Sequence, residues 1–379
     1  MESLNLEYIE TTVVESFAEQ MRHTQQSPLW HAEGDVLTHT LMVMDALHGL
    51  PEYHLLNERK QHILTIAALL HDIGKISTST LVDGEWKGPH HAPIGSGMAR
   101  ELLWRKYGLC GMEELMQVRE AICLLIRYHT FPTHTMDMKN GLLRLHRIAA
   151  NGSLVPDFSI RMLCLLCRAD MLGRKCKDQE QMLEQISLCE ELAKQEGCFD
   201  GCYPFPSLIT RRAFLSGMEV RKDESVEDES WGEVVWAIGA SGSGKADWIR
   251  RCLPDMPIIS IDDTLREQEA ASGKAQRAII NKAREQALEY LNRHQPFVWN
   301  ATNISAQMRE TPICLFESYH ARVRMVYLET DGKMQLMASM DEEENLLGKM
   351  TLPEAYEASR VEWICSALRV DELTDPNQR

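Results

Sequence analysis

The sequence predicts a multidomain protein in which an all-α unit is followed by an α/β unit with a parallel sheet. Two observations carry that prediction. Up to about residue 205 the apolar residues recur at helical spacing with almost no strand signal. From residue 233 onward, short β-rich runs alternate with helical stretches, the pattern of a parallel sheet covered by helices. A length of 379 residues also suits two or three domains, at roughly 100–200 residues each. The expected divisions are a helical domain at 1–205, a linker at 206–232 and an α/β domain at 233–379.

Each element has a local reason. In Val36–Leu50, the residues Leu37, Leu41, Met44 and Leu47 fall three or four apart and mark one face of a helix. His62–His71 reads as a buried helix, and Ile94–Trp104, Met112–Tyr128 and Ile160–Arg168 read likewise. Tyr203-Pro204-Phe205-Pro206 reads as a loop, and the charge run Arg221–Glu229 as a solvated hinge. Val234–Ile238 is a strand running into a glycine loop, and Met256–Ile261 is a second strand. Lys274–Arg293 is a long helix, Phe297–Trp299 and Val323–Leu328 are further strands, and Leu352–Leu368 is a closing helix.

Composition excludes several classes. Apolar residues make up 44% and charged residues 25%, as in globular proteins. The apolar runs are short, Ile66–Leu70 for example, against the roughly 18 residues of a membrane span. Met1-Glu2-Ser3 lacks the basic and apolar character of an export signal. The odd count of 11 cysteines at irregular spacing suits reduced thiols in a cytoplasm. A net charge of −16 argues against coating long nucleic acid. It leaves room for an enzyme that grips only a chain end, where a few arginines and bound metals supply positive charge.

Gly239-Ala240-Ser241-Gly242-Ser243-Gly244-Lys245 follows a strand and precedes a helical stretch. Glycines let backbone N–H groups curl around phosphate oxygens, and the next helix adds its N-terminal dipole. Lys245 would reach the terminal phosphates of a nucleotide. Ala246 stands where such loops have a Ser or Thr that binds magnesium, so one metal contact is missing. Asp247 is a neighbouring carboxylate, but its side chain is expected to point elsewhere on the helix. After the second strand comes Ile261-Asp262-Asp263-Thr264-Leu265-Arg266. Acids at a strand's C-terminal end face the ligand crevice of an open α/β sheet. There a carboxylate can accept a proton from an attacking hydroxyl and an arginine can hold an acceptor phosphate. The bland alternative is a helix N-cap with an exposed arginine.

A second constellation lies in residues 39–170. His71-Asp72 directly follows the apolar Ala67-Ala68-Leu69-Leu70. An ionisable pair there is costly unless something neutralises it, and a divalent metal would. His39, His91, His129 and Asp170 are further ligand candidates, with His90 competing for the place of His91. Imidazole and carboxylate together suit zinc, manganese, iron, nickel, cobalt or copper. The other histidines read as surface or satisfied core residues. Lys75 is either a phosphate contact or an exposed lysine after the turn.

With these residues in view, the N-terminal half resembles the HD-domain phosphohydrolase superfamily, whose histidine, adjacent His-Asp and distant aspartate match His39, His71-Asp72 and Asp170. Subfamilies with two metals add two histidines, which His91 and His129 match. Trp30-His31-Ala32-Glu33-Gly34-Asp35 and Thr38-His39-Thr40-Leu41-Met42 are similar to the HD domain attached to some bacterial CCA-adding tRNA enzymes. Those domains act on 2′,3′-cyclic and 2′-phosphates. The C-terminal half resembles the 5′-hydroxyl polynucleotide kinase family: Asp263 and Arg266 match its Asp-x-x-Arg, and Trp299-Asn300-Ala301-Thr302-Asn303 precedes Arg309 at the offset of its lid arginine. The order of the halves is similar to bifunctional bacterial RNA end-healing enzymes. The chain departs from that family at Ala246 and in the stretch Asp331–Lys349, which holds Asp341-Glu342-Glu343-Glu344 and no arginine.

The resemblance implies one or two divalent metals on His39, His71, Asp72, His91, His129 and Asp170, with Lys75 helping to hold phosphate. It also implies ATP or another NTP, with Mg or Mn, on Gly239–Ala246, Asp263 as base, Arg266 on the acceptor RNA and Arg309 on the transferred phosphoryl group. The implied partners are RNA ends (tRNA among them), NTP and a separate RNA ligase, with no membrane. The rival expectation is a nucleotide or signalling-nucleotide phosphohydrolase whose phosphate loop is a sensor.

Overall fold

The computed structural model describes residues 4–240, 242–267, 273–330 and 346–365. They fall into two compact units that divide in the main between Tyr203 and Pro204.

The N-terminal unit is built round the helix Glu58–Leu70, in which every residue from Ile63 to Leu70 is buried. A helix apolar on every side needs neighbours on every side. The helices Leu6–Thr12, Val36–Gly49 and Ile160–Leu172 pack against it, and the last two pack against each other. Side-chain caps fix where these helices begin. Asp35, Asn57 and Ser159 accept from the backbone N–H of Thr38, Lys60 and Met162, each worth about 1 kcal/mol. Cys164 and Cys167 are buried in the Ile160–Leu172 helix.

The central helix ends at Leu70, and the chain turns through His71-Asp72-Ile73-Gly74. A Cβ on Gly74 would lie 2.0 Å from the carbonyl oxygen of His91. Only glycine lets the helix His91–Arg105 close on this turn. Between them the sequence reading missed a hairpin: β1 (Thr80–Val82) pairs antiparallel with β2 (Glu85–Lys87). Its turn residues Asp83 and Gly84 have φ of 53° and 81°, the left-handed pair that suits a two-residue hairpin loop.

The C-terminal unit holds five parallel strands in the order β4-β5-β3-β6-β7. They are β3 (Gly232–Ile238), β4 (Ile258–Ser260), β5 (Phe297–Asn300), β6 (Ala321–Glu329) and β7 (Arg360–Cys365). Strand alternation sorts the central side chains onto two faces. Val235 and Ala237 join a core with Trp248, Ile249 and Val298. Trp236 and Trp299 pack edge-on against Phe316, with ring centroids 6.0 and 5.5 Å away. Because β3 is central and β4 lies beyond β5, the order reverses at β3, and its C-terminal end opens onto the ligand crevice.

Leu352–Leu368 is not the closing helix that its pattern suggests. Arg360–Cys365 is instead strand β7, in register with Arg324–Glu329 of β6, and residues 366–368 lie outside the described residues. The three-residue spacing of Leu352, Ala355, Ala358 and Val361 imitates a helix, yet all four are buried by tertiary contacts that local spacing does not report. Within 206–232, Leu208–Ser216 forms a helix capped by Ser207. Arg212 on it makes a bidentate pair with Glu317 at 2.6 and 2.7 Å. In the exposed charge run, Arg221 pairs with Asp223 and Glu224. No helix among the described residues is long and apolar enough to cross a membrane.

One buried charge cluster braces the helices His91–Arg105 and Glu113–Tyr128. Glu120 accepts from Arg100 at 2.9 and 2.8 Å and from Arg119 at 2.8 Å. Burial would raise its pKa, but the two guanidiniums outweigh that and hold it at about 2 against an ordinary 4.5. A depressed carboxyl stabilises fully above its unfolded pKa and loses that contribution as pH falls through its folded value. Glu120→Gln should therefore cost about 3 kcal/mol at neutral pH. In urea unfolding, its gap from wild type should shrink as pH falls from 4.5 towards about 2; a gap independent of pH would contradict this account.

Candidate metal centre and phosphate loop

The six residues expected as metal ligands come from five separate elements and meet. His39 lies on Val36–Gly49, His71 and Asp72 follow Glu58–Leu70, and His91 opens His91–Arg105. His129 follows Glu113–Tyr128, and Asp170 lies on Ile160–Leu172. Their Nε2 atoms converge in two pairs, His39 with His71 at 3.3 Å and His91 with His129 at 3.4 Å. Asp72 lies between the pairs. Its Oδ2 is 3.6 Å from His39 and 3.4 Å from His71, while its Oδ1 is 3.5 Å from His91 and 3.9 Å from His129. Asp170 Oδ1 adds to the first pair, 3.0 Å from His39 Nε2. His90, the competitor of His91, is exposed and caps its helix from outside in a left-handed conformation, φ 59°.

Local backbone sets each imidazole. Nδ1 of His71, His91 and His129 bonds the carbonyl three residues earlier, that of Ala68, Gly88 and Ile126, at 2.7, 2.9 and 2.8 Å. A carbonyl only accepts, so Nδ1 carries the hydrogen and Nε2 presents its lone pair inward. His39 is set differently, with Nδ1 2.9 Å from Glu33 Oε1 and Nε2 3.0 Å from Asp170 Oδ1.

The charges suit a cation. Burial lowers His91, and burial with His71 and His91 nearby lowers His129 to about 3, so both rings are neutral ligands. Burial would raise Asp72 and Asp170, but Lys75 and His71 hold the first, and Arg174 and His39 the second, well below the carboxylate range. Burial would lower His39, yet Asp170 and Glu33 raise it above its ordinary value. A metal would displace that proton. Two lone pairs 3.4 Å apart at His91 and His129, with the Asp72 Oδ1 beside them lacking a hydrogen-bond partner, fit a divalent cation. So does the split of Asp72 between two ligand groups, His39-His71-Asp72 and Asp72-His91-His129.

Two cations flank this centre. Lys75 is buried, its Nζ 2.7 Å from Asp72 Oδ2 and donating to Gln26 Oε1 at 2.6 Å. That places it in the site rather than on the surface. Arg174 was not singled out by the sequence. Its Nη2 donates to both oxygens of Asp170 at 3.2 and 3.0 Å. The i, i+4 spacing from Asp170 was the signal available. Glu33 lies in the stretch Trp30–Asp35, ahead of the first ligand helix. It receives both His31 Nδ1, at 2.8 Å, and His39 and so fixes two rings at once.

The phosphate loop follows β3. Gly239, Gly242 and Gly244 all have positive φ, and a Cβ on Gly239 would lie 2.5 Å from the carbonyl oxygen of Leu328. Lys245 Nζ donates to the carbonyls of Gly239 and Ala240 at 2.5 and 2.9 Å. Buried Ser243 Oγ finds no hydrogen-bond partner among the described residues. A phosphate would give these donors an acceptor. Ala246 is exposed on the first helical turn, and Asp247 pairs with Arg250 at 2.9 Å on an exposed face. Ser241 lies outside the described residues.

Of the two aspartates after β4, Asp262 contacts Lys245, its Oδ2 3.4 Å from Nζ. Asp262 also accepts from the backbone N–H and hydroxyl of Thr302, both at 2.9 Å. Asp263 accepts from Ser260 Oγ at 2.5 Å, and that oxygen in turn accepts from Asn300 Nδ2 at 2.9 Å. The side chain of Arg266 and residues 331–345 of the lid lie outside the described residues. Arg309 is not presented to the loop. It is fully buried, bonded twice to Glu357 at 2.7 and 2.8 Å and to the carbonyls of Asn303, Thr351 and Leu352. All its donors are engaged, so in this conformation it is a structural clamp rather than a transition-state cation.

Two family models match the chain, that of the HD domain over residues 36–175 and that of an AAA domain over residues 234–335. The chain joins an HD domain to a P-loop, kinase-like domain. No curated protein matches it significantly. HD domains are metal-dependent phosphohydrolases, and the converging histidines and aspartates include groups that could hold a divalent metal. The two parts together fit an enzyme that handles nucleotides or phosphate esters.

Glu33→Ala should weaken divalent-metal binding about 10- to 100-fold, because His39 loses the carboxylate 2.9 Å from its Nδ1. Chelator competition on the full chain measures this, and wild-type affinity would remove Glu33 from that role.

Proposed function

We propose that this enzyme heals broken RNA ends. The HD site removes 2′,3′-cyclic, 2′- or 3′-phosphate from one end. The P-loop site transfers a phosphoryl group from NTP to a 5′-hydroxyl end. The observation that carries this reading is a metal centre flanked by Lys75 and Arg174 in the same chain as a phosphate loop. Ribonuclease damage leaves a cyclic phosphate and a 5′-hydroxyl, and a ligase of the classical type needs the reverse. The partners proposed are RNA ends, tRNA among them, NTP and a separate ligase, in the cytoplasm.

At the HD site, His39, His71, Asp72, His91, His129 and Asp170 hold one or two divalent metals. When bound, such metals supply Lewis acidity and activate water near neutral pH. Lys75 and Arg174 hold non-bridging phosphate oxygens, each kept in place by its carboxylate, Asp72 or Asp170. At the P-loop, Lys245 leaves its carbonyls for the donor phosphates of NTP with Mg or Mn. Asp263 takes the proton of the 5′-hydroxyl, and Arg266 holds the acceptor. Asp262 orients Lys245 and competes with Asp263 for the base role.

Ala246 and the engaged Arg309 favour a second reading, a nucleotide or signalling-nucleotide phosphohydrolase with a nucleotide-sensing P-loop. One short RNA with a 5′-hydroxyl and a 2′,3′-cyclic phosphate separates the two by product mass, with ATP and a divalent-metal series. End healing predicts loss of phosphate at one end and gain at the other. Asp72→Ala should abolish the loss and spare the gain, and Lys245→Ala the reverse. Asp262→Asn and Asp263→Asn decide which aspartate is the base. Consumption of free nucleotides with both RNA ends untouched would establish the second reading instead.

A further inference from the structure

A cavity of about 580 Å³ opens beside the metal centre, within the roughly 300–1,000 Å³ of small-ligand sites. Lys75 and His91 line it, so it is continuous with the catalytic cluster. Trp30 and Trp86 line it too. Trp30 is 49% exposed, so with Trp86 it offers aromatic surface to a ligand in the cavity. Trp86 lies on β2 opposite Leu81 of β1, in a hairpin whose residues are otherwise largely exposed. Such an isolated hairpin adds little to a core. It departs from the chain after Lys75 and returns just before His91, so it walls the site.

Two buried donors add polar character. Gln26 and Ser27 line the same cavity and are each 6% exposed. Gln26 Oε1 accepts from Lys75, which fixes the amide and leaves Nε2 without a partner among the described residues, as is Ser27 Oγ. A buried donor without an acceptor costs about 1–3 kcal/mol, which a ligand oxygen would recover.

We propose that this cavity is a ribonucleotide subsite, in which Trp30 and Trp86 hold the base whose sugar carries the scissile phosphate. Gln26 Nε2 and Ser27 Oγ donate to the oxygens of that sugar phosphate. This rests on the RNA-end reading and deepens it. Stacking on tryptophan is strong and tolerant of sequence, since every base has a π-face. The site then accepts any terminal base and rejects ends that lack one.

The test uses the metal-loaded full chain and two RNAs with a terminal 3′-phosphate, one with a normal last nucleotide and one abasic there. Trp86→Ala and Trp30→Ala should lower kcat/KM on the base-carrying end by about tenfold or more, mainly through KM. The abasic end should lose much less, and Trp86→Phe should restore most of the preference. Equal losses on both ends, or none, would overturn the subsite. Quenching of tryptophan fluorescence by adenosine 3′-monophosphate is read alongside. If wild type leaves RNA ends untouched but the quench appears and falls in Trp86→Phe, the subsite stands and the RNA-end reading fails. Neither turnover nor quench would overturn both.

Discussion

The N-terminal unit depends on the burial of one carboxylate. Asp72 is 1% exposed just past a helix whose last eight residues are all buried. Isolated, a charge there would not remain ionised. Everything around it answers that cost. Lys75 meets one oxygen, and four imidazole Nε2 atoms lie 3.4–3.9 Å from the two oxygens, leaving a site that a cation would complete. The elements that bring them are short of freedom: the Gly74 turn touches the backbone of His91, and Arg174 braces Asp170 from the far side. The carboxylate is tolerable because its surroundings are assembled for a cation, and the same assembly handles phosphate.

The C-terminal unit solves a different problem, an anion held by backbone. The loop after β3 needs positive φ at three glycines and room where Gly239 meets Leu328. Lys245 meets the loop's own carbonyls and Asp262. The lysine's charge is shared between two carbonyls and a carboxylate, the kind of partners a triphosphate would compete with. The Arg309–Glu357 pair is of another kind. Both partners are buried and all guanidinium donors are used, so it secures the segment Thr351–Glu357 to the helix Ala306–Ser318.

Much of this was legible in the sequence because the informative features are local. The apolar run before His71-Asp72 announced a buried helix with a charged end, and the glycine loop lay between a strand and a helix. Helical spacing marked Val36–Leu50, and with it His39, and Ile160–Arg168, a helix that in fact runs on through Asp170 to Leu172. The misses are non-local. Leu352–Leu368 carries a helical rhythm, but pairing with β6 makes Arg360–Cys365 a strand. Spacing from a family motif suggested a working lid for Arg309, whereas a partner 48 residues away, Glu357, occupies it. Gln26 and Glu33 sit before the first helical ligand and acquire meaning only when the fold brings Lys75 and His39 to them. Asp262 and Asp263 are adjacent in sequence, and only the helix that begins at Ile261 sends them to different partners.

The β1–β2 hairpin has a consequence for how this site can be altered. It is threaded between two anchor points, Lys75 and His91, whose separation is pinned by backbone contact at Gly74 rather than by the hairpin itself. The wall meets the ligands through Gly88, whose carbonyl holds His91 Nδ1. Its length and aromatic content can be exchanged as a cassette, with the coordinating shell left standing. An engineer seeking a different leaving group would graft at Thr80–Lys87, keep the Gly88 carbonyl that holds His91, and leave every helix untouched.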